Sequence, residues 1–269
     1  MKLLKITLIL LLAVLIVLYG VTTINQRLSG KNIGPEISCP EGILEISVYD
    51  PEAVLMKDIT ALDKQDGNLS DHVQILSISK LVTNNTAKVT YLVFDSDGNM
   101  DTLVRQIRYT DYSRPVFAIK RPLVYAENEA ITLLDRLQVT DVIDGDITEL
   151  IRVSTLSGTS DSEIYTVSVQ VTNSMGDTAR LTLPVVLQDH TAYRPDIRLS
   201  TYLTYIRTGE AFHAQSYLTN LNTMEGPVDT SHVQITSTVD TSTPGTYYVY
   251  YRYPYNGTVG IAVLTVVVQ

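Results

Sequence analysis

Three stretches of this chain begin alike: Gly34-Pro35-Glu36-Ile37, Arg114-Pro115-Val116-Phe117 and Arg194-Pro195-Asp196-Ile197, with the prolines 80 and 80 residues apart. An acidic-Gly pair follows in each, at Asp66-Gly67, Asp144-Gly145 and Glu225-Gly226, spaced 78 and 81. A further glycine, Gly98, Gly176 and Gly257, keeps the same spacings of 78 and 81. The tetrapeptide His-Val-Gln-Ile occurs at 72–75 and at 232–235. Ordered markers at one period define a repeated structural unit. Length alone, 269 residues, would suggest about two domains; the repeat instead predicts an N-terminal segment and three modules, at 34–112, 113–192 and 193–269.

Each module reads as β. Lys88 to Phe94 and Tyr165 to Val171 alternate apolar and polar residues and are rich in Val, Thr and Tyr, the pattern of a half-buried strand. The repeated glycines follow such strands and precede others, at Thr102 to Tyr109, Ala179 to Leu187 and Gly260 to Val268. Gly beside Asn or Asp accepts positive φ, so these sites are predicted hairpin turns. Past the N-terminal segment no apolar pattern of helical period runs for three turns; Leu133 to Gln138 is long enough for one. Strands with such turn signals predict an antiparallel sandwich.

The N-terminal segment is of another kind. Ile6 to Gln26 carries no charge, and Ile6 to Leu18 is almost wholly Leu, Ile and Val. That length suffices for a helix across a ~30 Å hydrocarbon core. Residues 1–26 therefore read as a cytoplasmic stub and membrane anchor and 27–33 as a polar tether. Lys2 and Lys5 would hold the N-terminus inside, although Arg27 and Lys31 lie on the other flank. The expected location is the cell membrane, single-pass, with the C-terminal modules extracytoplasmic. The alternative is secretion after signal cleavage, for which Gly20-Val21-Thr22 is a poor site.

Asp141-Val-Ile-Asp144-Gly145-Asp146-Ile147-Thr148 resembles the signature of bacterial Ig-like repeats, found in Gram-positive surface proteins and in a pesticidal crystal protein. Pro244-Gly245-Thr246-Tyr247 and Asp95-Ser96-Asp97-Gly98-Asn99 are similar to the family's later signature, divided between two modules. Module one keeps part of the first signature (Asp63, Asp66, Gly67, Asn68); module three has drifted. The resemblance covers about 34–269 and implies Ig-like sandwiches, surface location and tandem arrays. It implies no shared ligand and no catalysis, since fold does not dictate function. The expected fold class is thus all-β: three tandem Ig-like antiparallel β-sandwiches after an N-terminal transmembrane helix.

Charge and composition narrow the chemistry. Twenty Lys and Arg against 29 Asp and Glu give a net charge of −9, the wrong sign for a nucleic-acid partner. Cys39 is the one cysteine, so no intrachain disulfide or thiolate cluster forms. His72 and His232 recur at one repeat position, which points to a structural role; His190 lies in a junction and His213 in or beside a strand. No His pair has zinc-ligand spacing, and the chain is read as not an enzyme.

Two binding sites are candidates. Asp95, Asp97, Asn99 and Asp101 place oxygens at alternate positions of a turn, as a calcium loop does, though without its distal Glu. In an Ig-like module Asp141, Asp144 and Asp146 would lie near the junction residue Asp111, where mutual repulsion favours a cation. The competing reading is polar turns that bond their own backbone. Calcium is the only candidate cofactor. The second site is aromatic: six tyrosines crowd 247–255. By alternation Tyr247, Tyr251, Tyr253 and Tyr255 share one face, and Tyr248 and Tyr250 the other. One face must be core; the other offers a strip for a glycan or protein, with Tyr248, Tyr250, Tyr251 and Tyr253 as candidate ligand contacts. The expected function is a non-catalytic, membrane-anchored spacer, adhesion or assembly module. The alternative is a glycan- or peptidoglycan-binding surface protein using this strand, with a surface protein or a cell-wall glycan as partner.

Overall fold

The computed structural model describes residues 12, 15–19, 34–127, 129–154, 163–189 and 192–269. It is all-β with several sheets, and contacts divide it into two units, Met1–Thr110 and Asp111–Gln269.

The strands of unit 1 are β1 (Glu36–Ser38), β2 (Leu44–Ile46), β3 (Thr60–Asp63), β4 (Gly67–Asn68), β5 (Gln74–Ile78), β6 (Thr86–Phe94) and β7 (Met100–Tyr109). They form a sheet of order β1-β3-β4 and another of order β2-β7-β6-β5. The pairings are antiparallel except β2 with β7, which is parallel. The opening of the unit thus serves both sheets: β1 pairs with β3, then the chain crosses and β2 lies beside the last strand. Alternation on β6 buries Ala87, Val89, Tyr91 and Val93. The buried Tyr91 hydroxyl donates to the Leu55 carbonyl at 2.6 Å, which lets a polar tip reach the interior at no unpaired cost.

Unit 2 continues with β8 (Val116–Ile119), β9 (Val124–Ala126), β10 (Leu137–Asp141), β11 (Gly145–Asp146), β12 (Arg152–Val153), β13 (Ile164–Thr172) and β14 (Thr178–Gln188). After these come β15 (Asp196–Leu199), β16 (Leu203–Ile206), β17 (Leu218–Thr223), β18 (Gly226–Pro227), β19 (Gln234–Ser237), β20 (Gly245–Tyr255) and β21 (Thr258–Val268). The unit 1 topology recurs twice: β8-β10-β11 with β9-β14-β13-β12, then β15-β17-β18 with β16-β21-β20-β19. Again the second strand of each set runs parallel to the last, β9 to β14 and β16 to β21. Gly98, Gly176 and Gly257 have φ of 83°, 80° and 79°, the left-handed turn conformation that the repeat spacing predicted. Where the sequence allows one helical turn, at Leu133 to Gln138, the chain makes a tight turn and not a helix: the Leu137 N–H donates to the Leu133 carbonyl, and β10 starts at Leu137.

Sheets pack face to face within each set of unit 2. Phe117, Ile119, Leu137 and Val139 of one sheet meet Tyr125, Val167, Val169, Val171, Leu181, Leu183 and Val185 of the other. Ile197, Leu199 and Leu221 likewise meet Ile206, Val249, Tyr251, Ala262, Leu264 and Val266.

The two sets are also packed against each other, which is why they count as one unit where the repeat gives two modules. On β21 the side chains opposite the core row, Val263 and Thr265, are buried as well. On β14 the same holds for Pro184 and Val186. Leu203 belongs to the core cluster of the preceding set, and Tyr202, Tyr205 and Val267 pack onto it. The Phe117 N–H donates to the Tyr205 hydroxyl at 3.1 Å.

The membrane expectation is corrected. Among the described residues no helix is long and apolar enough to cross a membrane. That overturns the single-pass cell-membrane assignment, and leaves the transmembrane helix of the expected fold class and the membrane as a partner without support. Of 1–26 only Leu12 and residues 15–19 are described, as helix. The rest of the expected anchor, and the 27–33 tether, lie outside the described residues.

Candidate binding surfaces

The acidic signature forms a set of backbone ties, and the two units build it alike. Asp63 Oδ1 accepts the N–H groups of Gln65 and Asp66; Asp141 Oδ1 accepts those of Ile143 and Asp144. The next acid reaches across to the last hairpin. Asp66 accepts the N–H and hydroxyl of Ser96, and Asp144 those of Ser174. The third position accepts from the first residue of the short 3-10 turn that follows, Asn68 from Ser70 and Asp146 from Thr148; in the last set Asp229, three residues past Gly226, caps the turn by accepting from the Ser231 N–H. These are Asx-type turns. Ser96 and Ser174 stand two residues before the repeated glycine, a shared position that marks them in the sequence.

The candidate calcium oxygens are engaged in the same way. Asp95 accepts the N–H groups of Asp97 and Asn99 and the Asn99 side-chain amide. That amide holds the Asp95 carboxyl below its usual range. Asp101 accepts the N–H groups of Ile37 and Thr102, and Asp97 is exposed. The Thr148 hydroxyl lowers the Asp146 carboxyl. Asp111 is exposed and not without a partner. Among the described residues no three His, Cys, Asp or Glu side chains are grouped to hold a metal ion.

In unit 2 the buried Asp141 Oδ2 accepts the Asn173 amide at 3.0 Å. Asn173 also donates to the Tyr112 hydroxyl, which donates to Asp177; Arg114 closes the network on Asp177. Burial pushes the Tyr112 hydroxyl far up, and the Asp177 carboxylate adds to it. In unit 1 the matching Oδ2, that of Asp63, is buried without a hydrogen-bond partner. Asp95 takes the place of Asn173 there and brings no N–H.

The tyrosine strand β20 divides as alternation requires. Tyr251 is fully buried and its hydroxyl donates to the Ala214 carbonyl at 2.7 Å; Tyr253 packs half-buried on the same core. Burial raises the Tyr251 hydroxyl far above its ordinary value. Tyr248, Tyr250 and Arg252 form the other row. The Tyr248 hydroxyl donates to the Thr182 carbonyl of β14 at 3.1 Å. Its ring lies 6.4 Å from that of Tyr250, and the Arg252 guanidinium stands 5.0 Å over the Tyr250 ring. Of the four expected contacts, Tyr251 is buried and Tyr253 packs on the core, Tyr250 is half-buried at the surface beside Arg252, and Tyr248 bridges to β14.

That bridge borders a cleft of 390 Å³. Its floor is the outer face of the β12-β13-β14 sheet, in cross-strand rows: Arg152, Gln170 and Arg180 in one, Ser168 and Thr182 in the next. Thr246 of β20, on the same face as Tyr248, forms part of the wall. Of the histidines, His72, His213 and His232 are exposed, and His190 lies outside the described residues.

No protein-family model matches the chain, and no curated protein does. Among solved structures, the M60 catalytic domain with the CBM51-1 and CBM51-2 domains from Clostridium perfringens ZmpB aligns with 87% of this chain and 31% of its own, at 15% identity and a TM-score of 0.25. The ZmpB CBM51-2 in complex with GlcNAc and INT domains aligns with 56% of this chain and 41% of its own, at 20% identity and a TM-score of 0.24. The protocadherin GammaB4 extracellular domain aligns with 89% of this chain and 50% of its own, at 12% identity and a TM-score of 0.22. The chain spans less than half the length of either ZmpB structure. At such scores the alignments establish neither common descent nor a shared ligand.

Proposed function

We propose that the chain is a non-catalytic adhesion or binding protein of three tandem Ig-like modules, at 34–112, 113–192 and 193–269. One sheet topology repeated three times, with its acid signature engaged in backbone ties, supports a scaffold reading. Recognition then falls on sheet faces. The observation that carries this is the polar cleft beside the Tyr248, Tyr250 and Arg252 row. Its hydroxyls, amide and guanidiniums are hydrogen-bonding groups with an aromatic row next to them, the combination that suits a sugar chain. A glycan is therefore the preferred ligand over a protein surface. Purified cell-wall polysaccharide tests it. The chain should be retained, Tyr250→Ala should weaken retention, and the polysaccharide should keep its length distribution on prolonged incubation. Absence of retention refutes the binding role, and shortening of the polymer refutes the non-catalytic one.

A further inference from the structure

Resting on that reading, we propose that the cleft takes the anionic groups of an acidic glycan, carboxylate or phosphodiester, between Arg152 and Arg180. The two arginines are cross-strand neighbours of Gln170 on opposite sides. Adjacent strands lie about 4.8 Å apart, so their backbones stand roughly 10 Å apart with one amide between them. Both side chains are exposed. Arg180 donates Nε to Gln170 Oε1 at 3.1 Å, which orients its fork along the row. The described ion pairs involve Arg108, Arg114, Arg194 and Arg198, and neither Arg152 nor Arg180. Among the described residues no carboxylate lines the cleft. Two guanidiniums on one row with no carboxylate partner among the described residues are unexpected on a chain of net charge −9. Every other polar group on the floor is a hydroxyl or an amide, which can donate to an anion or a sugar hydroxyl. Guanidinium forks match carboxylate and phosphate oxygens two at a time. A neutral sugar would leave both charges without a counterpart.

The test is affinity electrophoresis of the full chain in gels of polygalacturonate, of a glycerol-phosphate polymer and of neutral dextran. Wild type should be retarded by one or both charged polymers and not by dextran. Retardation should fade with added salt, since charges are screened over about 8 Å at physiological ionic strength. Arg152→Gln/Arg180→Gln should weaken retention by tenfold or more, at about the strength of a hydrogen bond to a charged group. Its melting temperature should match wild type, because both residues are exposed. An unchanged double variant overturns the proposal, and so does equal retardation by dextran; in both cases the chain still binds glycans. Retardation by none of the three overturns the proposal. If the cell-wall polysaccharide also fails to retain the chain, the glycan reading falls with it.

Discussion

Replacing Thr265 by Val should stabilise unit 2. Thr265 is fully buried on the side of β21 that faces away from its own core. Around it lie Pro184, Val186, Tyr202 and Val263. Its backbone N–H donates to the Tyr202 carbonyl at 3.0 Å, but Oγ1 has no hydrogen-bond partner. In the unfolded chain that hydroxyl is hydrated, so folding loses a bond to water and gains none. Leaving such a group unsatisfied costs about 1–3 kcal/mol. Valine has nearly the shape of threonine and no hydroxyl, so the substitution keeps the packing and removes the penalty. Allowing for imperfect fit of the new methyl, the gain should be about 1 kcal/mol. In a unit of this size that raises the melting temperature by roughly 2–4 °C. Urea unfolding of the full chain, followed by circular dichroism and tyrosine fluorescence, measures it. Thr265→Asp is the counterpart: an unpaired charge at the same place should cost about 3 kcal/mol or more. If Thr265→Val changes nothing and Thr265→Asp is tolerated, that face of β21 is in water and the two sheet sets of unit 2 are not packed together.

Three further outcomes follow from the loops. Asp144→Ala should cost about 1–2 kcal/mol and Ser174→Ala less, because the backbone N–H of residue 174 still donates to Asp144; the double variant should cost little more than Asp144→Ala alone, and additive losses in chemical denaturation would refute the pairing. Exchanging residues 95 and 99, as Asp95→Asn/Asn99→Asp, gives unit 1 the amide that Asn173 supplies in unit 2; it should satisfy Asp63 Oδ2 and raise stability by about 1 kcal/mol, and a clear loss would contradict it. The Asp95 and Asp146 carboxyls are held below their ordinary range by the Asn99 amide and the Thr148 hydroxyl respectively. Their contribution is whole above the unfolded value of about 3.9 and is lost as pH falls through the lower folded value. Melting temperature should therefore be level from neutral pH down to about pH 5 and fall only below about pH 4; a fall beginning near pH 6 would point to other groups.

The repeat and its turns were legible because glycine at positive φ leaves a mark in sequence that few other residues replace. Alternation also divides the β20 tyrosines into two rows, but it does not say which row is core: Tyr251, expected as a ligand contact, is buried. The role of the acid signature was not legible. An aspartate that accepts backbone N–H groups and one that ligates a cation share one local pattern, and the partners of Asp66 and Asp144 stand 30 residues away. The packing within unit 2 did leave a signal. Gly260 to Val268 and Leu181 to Leu187 are nearly continuous apolar runs, which marks strands buried on both faces. The polar gaps that alternation needs are missing there. The cleft was not legible, because Arg152 and Arg180 meet only through strand register.

Hydrogen exchange of the full chain with and without cell-wall polysaccharide addresses the central claim most directly, that recognition lies on the outer sheet faces of unit 2. The account predicts added protection in β12, β13, β14 and β20. Protection confined to the acidic turns at 63–68 and 141–146, or none at saturating polysaccharide, would contradict it.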